Sequence, residues 1–243
     1  MLITGQKYYA WKLNENCDLP VDHYEFDENG KMVQGIVNKN GKLYYYVNGK
    51  PCEMGLFKLG DDYYYSQYNG MLITGQKYYA WKLNENCDLP VDHYEFDENG
   101  KMLQGIIEKN GNLYYYVNGK PREMGLFKIG DDYYYSQYNG MLITGKKYYA
   151  WKLNENCELP VDSYEFDENG KMLLEGIIEK NGNLYYYENG KPVEKGLFMI
   201  DGYYYYSQYN GMLITSQKYY VWKGNDLLLE KHYTFNELGQ IIG

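Results

Sequence analysis

Four tyrosine–tryptophan pairs stand out as groups that could do chemistry. In Lys7-Tyr8-Tyr9-Ala10-Trp11 an extended chain would place Tyr9 and Trp11 on one face. The arrangement recurs as Tyr79/Trp81, Tyr149/Trp151 and Tyr220/Trp222. Flat aromatic pairs suit stacking on a sugar ring, with nearby Asn and Asp accepting its hydroxyl protons. The competing reading makes Trp11 a core plug where a long loop disturbs the fold. His23, His93 and His232 share one equivalent position, taken by Ser163 in the third copy. A metal ligand set does not fit a serine in one copy. These histidines read as polar neighbours of the strand, or as a sugar contact.

Other groups point to little chemistry. Cys17, Cys87 and Cys157 are equivalent, and stacked repeats would hold their sulfurs about 30 Å apart. A disulfide needs Cα atoms within about 7 Å, so these cannot pair within the chain. They read as free loop thiols, with intermolecular crosslinking as the alternative. No zinc-type spacing appears. The acidic turns Asp27-Glu28-Asn29-Gly30 and Gly60-Asp61-Asp62 lack the ligand alternation of calcium loops. No catalytic, Walker or dinucleotide fingerprint is present. Carboxylate pairs exist but repeat identically, and four copies of one catalytic centre would be unusual. The reading is non-catalytic, with no metal and no cofactor.

The elements that must position these groups are set by a long repeat. Residues 1–70 match residues 71–140 at 64 of 70 positions. Further copies start at Met141 and Met212, with one residue inserted in Met172-Leu173-Leu174-Glu175-Gly176. The copies are 1–70, 71–140, 141–211 and a partial 212–243, read together as a single repeat domain over 1–243. Such a period signals a repeat architecture. A glycine, read as closing the second strand of each smaller unit, falls at 5, 35, 55, 75, 105, 125, 145, 176 and 196. Each copy is thus two short units and one long one.

A short unit reads as a hairpin: strand Leu43–Val47, turn Asn48-Gly49, return from Lys50 to Leu59. Asn-Gly is the strongest short hairpin signal, because tight turns need positive φ at both central positions. A second class of turn, Asn40-Gly41 and Gly60-Asp61-Asp62, joins one hairpin to the next. No stretch keeps helical periodicity. The expected fold is all-β, an elongated β-hairpin solenoid of about eleven stacked hairpins. Two strands per hairpin give about 10 Å of rise, hence a rod about 100 Å long. The long unit adds the loop Leu13 to Asp22, rich in Asn, Asp and Pro, which should offset the stack once per copy. In the last copy the run Asp226-Leu-Leu-Leu-Glu230 replaces it and reads as a cap on the solenoid, or as a docking point for a partner.

Differences between copies one and two indicate what faces where. Val33/Leu103, Val37/Ile107 and Leu59/Ile129 exchange apolar for apolar, as packed positions require. Asn38/Glu108, Lys42/Asn112 and Cys52/Arg122 exchange freely, which places Cys52 on the surface.

Composition narrows the partners. The chain has 34 Tyr in 243 residues, and without them the apolar share falls from 44% to about 30%. So large an aromatic content argues against disorder. Net charge is −9, with 24 basic against 33 acidic groups and one Arg. That argues against nucleic acid and anionic membrane surfaces. No apolar run approaches a membrane span. The chain opens inside a repeat with no signal peptide, so it reads as a fragment of a longer protein.

The string Gly55-Leu-Phe-Lys-Leu-Gly-Asp-Asp-Tyr-Tyr-Tyr-Ser-Gln-Tyr-Asn-Gly-Met-Leu-Ile-Thr-Gly75 resembles the aromatic–glycine, cell-wall-binding repeats of Gram-positive surface proteins. Tyr24-Glu-Phe-Asp-Glu-Asn-Gly-Lys-Met-Val-Gln-Gly35 does so as well. Relatives of that type include glucan-binding repeats of glucansucrases, choline-binding repeats and the receptor-binding repeats of large clostridial toxins. The mixture of short and long units is most similar to the last. The resemblance covers nearly the whole chain. It implies a β-hairpin solenoid and non-catalytic carbohydrate binding at the cell surface or outside the cell. Choline-binding repeats put Trp after the anchor glycine, whereas Ile36, Leu56 and Gln76 follow it here, so the aromatic cage for a quaternary amine is not reproduced.

The function read from the sequence is multivalent binding of a cell-wall polysaccharide or glucan by a secreted or surface bacterial protein. The contacts would be Tyr9, Trp11, His23, Tyr79, Trp81, His93, Tyr149, Trp151, Tyr220 and Trp222. One alternative is a structural spacer or fibre that associates end to end through exposed strands. Another is toxin-like recognition of a host glycan receptor.

Overall fold

The computed structural model describes residues 2–11, 17–85, 87–154, 157–222 and 228–243. Described residues form antiparallel strands and turns and no helix. Two compact units emerge, Met1–Ile107 with Tyr116–Pro121, and Glu108–Tyr115 with Arg122–Gly243.

The first copy folds as three hairpins. β1 (Lys7–Ala10) pairs with β2 (Asp22–Glu25) across the long loop. β3 (Gly35–Lys39) pairs with β4 (Lys42–Val47), which also takes the two-residue β5 (Lys50–Pro51). β6 (Gly55–Leu59) pairs with β7 (Asp62–Ser66). The second copy repeats this with β8 (Lys77–Ala80), β9 (Asp92–Glu95), β10 (Gly105–Lys109), β11 (Asn112–Val117), β12 (Lys120–Pro121), β13 (Gly125–Ile129) and β14 (Asp132–Ser136). The third has β15 (Lys147–Ala150), β16 (Asp162–Glu165), β17 (Gly176–Lys180), β18 (Asn183–Glu188), β19 (Lys191–Pro192), β20 (Gly196–Ile200) and β21 (Tyr203–Ser207). β22 (Lys218–Tyr220) and β23 (His232–Thr234) make the last hairpin. The described residues thus form ten small sheets, each built on one hairpin, against about eleven expected.

The hairpins are phased differently from the sequence expectation. The anchor glycines Gly35 and Gly55 open first strands rather than closing second ones. The main turns are Asn40-Gly41 and Gly60-Asp61, while Asn48-Gly49 leads only into β5. Both Asn-Gly pairs have Asn in the left-handed region, with φ 53° at Asn40 and 49° at Asn48, so turn chemistry cannot choose between them. A longer-range bond chooses. Beyond Pro51 the Cys52 N–H still donates to the Tyr45 carbonyl at 2.8 Å, but the Tyr45 N–H is taken by the Gly70 carbonyl at 2.9 Å, and the ladder after Asn48-Gly49 ends there.

A linker after each hairpin laces it to the previous one. In the first unit the Leu72 N–H donates to the Leu43 carbonyl at 2.8 Å, one hairpin back, and the Ile73 N–H to the Tyr65 carbonyl at 2.9 Å. Met102 and Leu103 do the same to Tyr63 and Glu95. In the second unit Leu142 and Ile143 bond Leu113 and Tyr135, while Met172 and Leu173 bond Tyr133 and Glu165. Side chains reinforce the lacing. Lys50 pairs with Asp22, Lys120 with Asp92 and Lys191 with Asp162. Lys101 reaches Asp62 at 2.6 Å and Lys171 reaches Asp132 at 2.7 Å.

These carboxylates carry a pH signature. The lysine partner first, and the amide of the next residue second, hold Asp22, Asp92 and Asp162 below the ordinary value of 3.8. A folded-state value below the unfolded one stabilises the protein above the unfolded pKa, and that contribution is lost as pH falls through the folded value. The urea midpoint should therefore hold to about pH 5 and drop below about pH 4, and Lys120→Met should flatten part of the drop. An unchanged slope in the variant would remove Asp92 from the account.

The core lies where a long unit meets the short hairpin before it. Leu56, Tyr65, Ile73, Ala80, Tyr94, Phe96 and Met102 form it in the first unit, and Leu126, Tyr135, Ile143, Ala150, Tyr164, Phe166 and Met172 in the second. Tyrosine supplies the bulk, and ring contacts run from hairpin to hairpin. Tyr45 stacks on Phe57 at 4.8 Å, and Tyr65 meets Tyr78 at 4.9 Å. Cys52 is not on the surface as expected. It is half-buried against Phe57, Tyr64 and Leu72, and burial pushes its thiol up. Its counterpart Arg122 also fits there because its guanidinium lies 4.6 Å from the Phe127 ring centre, so the polar exchange marks an aromatic surface rather than open solvent. Leu59 departs the other way, exposed at the hairpin tip where little packs on it.

The long loop docks rather than bends away. Its Leu83 makes a parallel bridge with Leu56, with Leu56 N–H to Lys82 O at 2.8 Å and Asn84 N–H to Leu56 O at 2.9 Å. Leu83, Cys87 and Leu89 pack on the first-unit core. Gly55 permits this approach. Its φ is +146°, and a Cβ there would lie 2.3 Å from Asn84 Oδ1. Gly55→Ala should cost about 1–3 kcal/mol in urea denaturation and free the loop to proteolysis. Gly105→Ala, at φ +83° with open space around it, should leave the loop protected. In the last copy, residues 223–227 lie outside the described residues. Of the expected cap, Leu228 packs on the core formed by Leu197, Tyr206 and Ile214, whereas Leu229 is exposed.

Candidate functional site

The site is best seen in copy two, within one unit. Along β8 the pleat turns Tyr78 and Ala80 inward and Tyr79 outward, as a half-buried strand must. The strand ends at Ala80. Trp81 follows in a tight turn, its N–H donating to the Tyr79 carbonyl at 3.1 Å. Strand alternation therefore does not set the tryptophan's direction, and the expectation of one shared strand face is replaced by a strand residue followed by a turn residue. Both side chains are open to solvent, Tyr79 at 47% and Trp81 at 51%. The core-plug reading of Trp81 is excluded, since Leu83, Cys87 and Leu89 do that work.

Across the hairpin, Tyr79 faces His93 in register, and their rings meet at 4.8 Å with a 42° tilt. His93 Nδ1 lies 3.9 Å from Asp92 Oδ1, and Asp92 accepts the His93 backbone N–H at 2.6 Å. Lys120, from the following hairpin, holds the other carboxylate oxygen and lies 5.2 Å from the Tyr94 ring centre. The Tyr94 hydroxyl donates to the Pro90 carbonyl and fixes the base of the long loop. The result is an exposed tyrosine–histidine ledge with an aspartate–lysine pair at its edge, followed two residues along the chain by an exposed tryptophan.

The other copies keep this plan with local changes. Tyr9 meets His23 at 4.8 Å, with Trp11 exposed and Asp22 held by Lys50. In copy three Tyr149 faces Ser163 in register, Trp151 is exposed, and Asp162 is held by Lys191. In copy four Tyr220 meets His232 edge-on at 5.1 Å, Trp222 is exposed, and Lys231 stands in place of the aspartate. The sequence treated Tyr–Trp pairs and histidines as separate candidates. The structure brings each histidine onto its tyrosine.

Two features escaped the sequence reading. The aspartate–lysine pairs join residues 28 or 29 apart, although both recur at constant phase. Tyr68, Tyr138 and Tyr209 are the most exposed aromatics, at 90%, 90% and 82%. Each sits in a Gln-Tyr-Asn-Gly turn closed by the glycine N–H to the glutamine carbonyl. Their place immediately before Asn-Gly was the available signal, since central turn positions face solvent.

The four free cysteines are Cys17, Cys52, Cys87 and Cys157. No cluster of three or more metal-ligating side chains occurs among the described residues. The Asp27 carboxylate caps its own turn, accepting the Asn29 and Lys31 backbone N–H groups at 2.9 Å each.

No protein-family model matches the chain. Glucosyltransferase-S of Streptococcus mutans serotype c is 26% identical over 206 residues, which is 79% of this chain but 13% of that protein. Among solved structures, choline binding protein F from Streptococcus pneumoniae aligns over 98% of this chain and 70% of its own, at 19% identity and a TM-score of 0.35. The choline-binding domain of CbpL from the same species aligns over 87% and 98%, at 18% identity and a TM-score of 0.38. The repeat, the hairpins it folds into and the streptococcal sequence match agree with the likeness carried by residues 55–75: this chain is similar to the aromatic–glycine, cell-wall-binding type of repeat.

Proposed function

We propose that the chain is a non-catalytic, multivalent carbohydrate-binding array of a secreted or cell-surface bacterial protein, with glucan or cell-wall polysaccharide as its ligand. One observation carries the reading. An exposed tyrosine and, two residues on, an exposed tryptophan recur in all four copies at the head of the long unit. Large aromatics left in water on a laced scaffold give little to stability and are suited to a ligand with a flat apolar face. The C–H face of a sugar ring would lie on Trp81 and Tyr79, with the rim carboxylate of Asp92 and the imidazole of His93 taking its hydroxyl groups. Each contact is weak, and repetition supplies the avidity. The match to a streptococcal glucosyltransferase supports the glucan reading.

The test is retention of the purified chain on insoluble glucans and bacterial wall preparations. The comparison variant has Trp11, Trp81, Trp151 and Trp222 all changed to Ala and is first shown to be folded. Retention of the wild type and its loss in the variant is the expected result. Absence of retention on every surface, with particles joining end to end, would instead mark a structural filament. Retention only on a defined host oligosaccharide would mark receptor recognition.

A further inference from the structure

We propose a second, elongated subsite in the first unit that takes an internal stretch of a neutral polysaccharide chain rather than a single sugar. It deepens the carbohydrate-binding reading and rests on it. The feature is a groove of about 770 Å³ between the docked long loop and the segment around β5. That volume lies within the roughly 300–1,000 Å³ of small-ligand sites and is open enough to hold linked sugar rings.

Its lining is mixed. Val47, Pro51 and Leu83 offer apolar surface, and Glu53, Lys82, Asn84 and Glu85 offer hydrogen-bonding groups. The charges balance: Lys50, already paired with Asp22, and Lys82 stand against Glu53 and Glu85. A balanced rim favours an uncharged ligand over an acidic or basic one. Polar groups interleaved with apolar patches match the two faces of a sugar chain.

Three observations tie the groove to the aromatic ledge. Lys82 directly follows Trp81, so the groove begins one residue beyond the exposed tryptophan. The loop wall is fixed in advance by its parallel bridge to Leu56, so little ordering is needed on binding. The Asn84 amide is poorly used, reaching the Glu53 carbonyl only at 3.5 Å. Its counterpart Asn154 keeps a buried amide nitrogen with no hydrogen-bond partner among the described residues. A buried donor of this kind is costly unless something accepts from it.

The experiment reads one ledge at a time. Trp11, Trp151 and Trp222 are changed to Phe, so that Trp81 fluorescence reports on its own site. Isomaltose, longer isomalto-oligosaccharides and dextran are titrated. Affinity at Trp81 should rise about tenfold from the disaccharide to the longer chains. Lys82→Ala with Glu85→Ala, confirmed folded by thermal denaturation, should abolish that gain and leave isomaltose binding within about twofold. A length gain that survives in the variant overturns the groove while leaving the ledge intact. No response to any of these sugars, with retention on bacterial walls intact, overturns the groove alone, and no response together with no retention on walls or glucans overturns the carbohydrate reading as well.

Discussion

Replacing all four ledge tryptophans with alanine should lower apparent affinity for an insoluble polysaccharide by about two to four decades and leave the fold intact. The size comes from linkage rather than from any one contact. When several weak sites sit on one chain, each bound site raises the local concentration of ligand at the rest, and removing them together removes that multiplication. Single replacements should each cost far less, and their combined loss should exceed the sum of the single losses. The fold should survive because Trp11, Trp81, Trp151 and Trp222 are each at least half-exposed and lie outside the packed clusters of Leu, Ile and Tyr. Exposed positions of this kind usually shift stability by less than about 0.5 kcal/mol. The check is a binding isotherm for each single, double and quadruple variant beside its thermal midpoint. Equal retention of the quadruple variant and the wild type would sink the stacking mechanism.

The second large effect concerns tyrosine in the core, where one substitution should have opposite signs at two positions. Tyr65→Ala should destabilise by about 3–5 kcal/mol, since the ring is fully buried against Leu56, Ile73 and Tyr94. Tyr65→Phe should be neutral or stabilising. The Tyr65 hydroxyl is buried with no hydrogen bond of normal geometry, the Lys82 backbone N–H beside it being too poorly aligned to offset its burial, which, helped by Tyr78, pushes it up to about 12. Removing an unpaired buried hydroxyl removes a penalty. Tyr187→Phe should instead cost about 1–3 kcal/mol, because the Tyr187 hydroxyl donates at 2.8 Å to Glu165, itself nearly buried and paired with Lys180. Urea denaturation of the three variants decides it. A loss at Tyr65→Phe equal to that at Tyr187→Phe would mean that the Tyr65 hydroxyl is satisfied in solution.

The architecture was legible because the repeat is nearly exact and turn chemistry is local. Near-identical copies must fold alike, and Asn-Gly favours positive φ. Of the twelve Asn-Gly pairs six have Asn in the left-handed region, while Asn29, Asn69 and their equivalents do not and sit in turns closed by the glycine N–H to the carbonyl three residues back. The phase of the hairpins was harder. Asn40-Gly41 and Asn48-Gly49 make the same demand, and what separates them is not local: the Tyr45 N–H goes to the Gly70 carbonyl, from a later turn, which ends the ladder beyond Asn48-Gly49. The exposure of Trp81 was open in the sequence because composition allows both a plug and a ledge. Leu83, Cys87 and Leu89 settled it by reaching the core first. The histidine ledge was hidden for a different reason. Tyr79 and His93 are 14 residues apart across a loop of irregular length, and only the register of β8 on β9 brings them together.

The lacing between hairpins also bears on how such a chain changes over generations. Leu72 bonds Leu43, Leu142 bonds Leu113 and Leu213 bonds Leu184, each at 2.8 Å and each to the same point of the preceding short hairpin. Excising 70 residues between equivalent points therefore rejoins a linker to a partner it already fits, and duplicating 70 residues creates a junction already present twice. Stretches that share 64 of 70 positions are also those most prone to misaligned exchange between gene copies. The number of ledges can then rise or fall in whole steps within a lineage, with no new interface to evolve. On the proposed reading, grip on a surface becomes a quantity adjusted by counting copies rather than by altering residues.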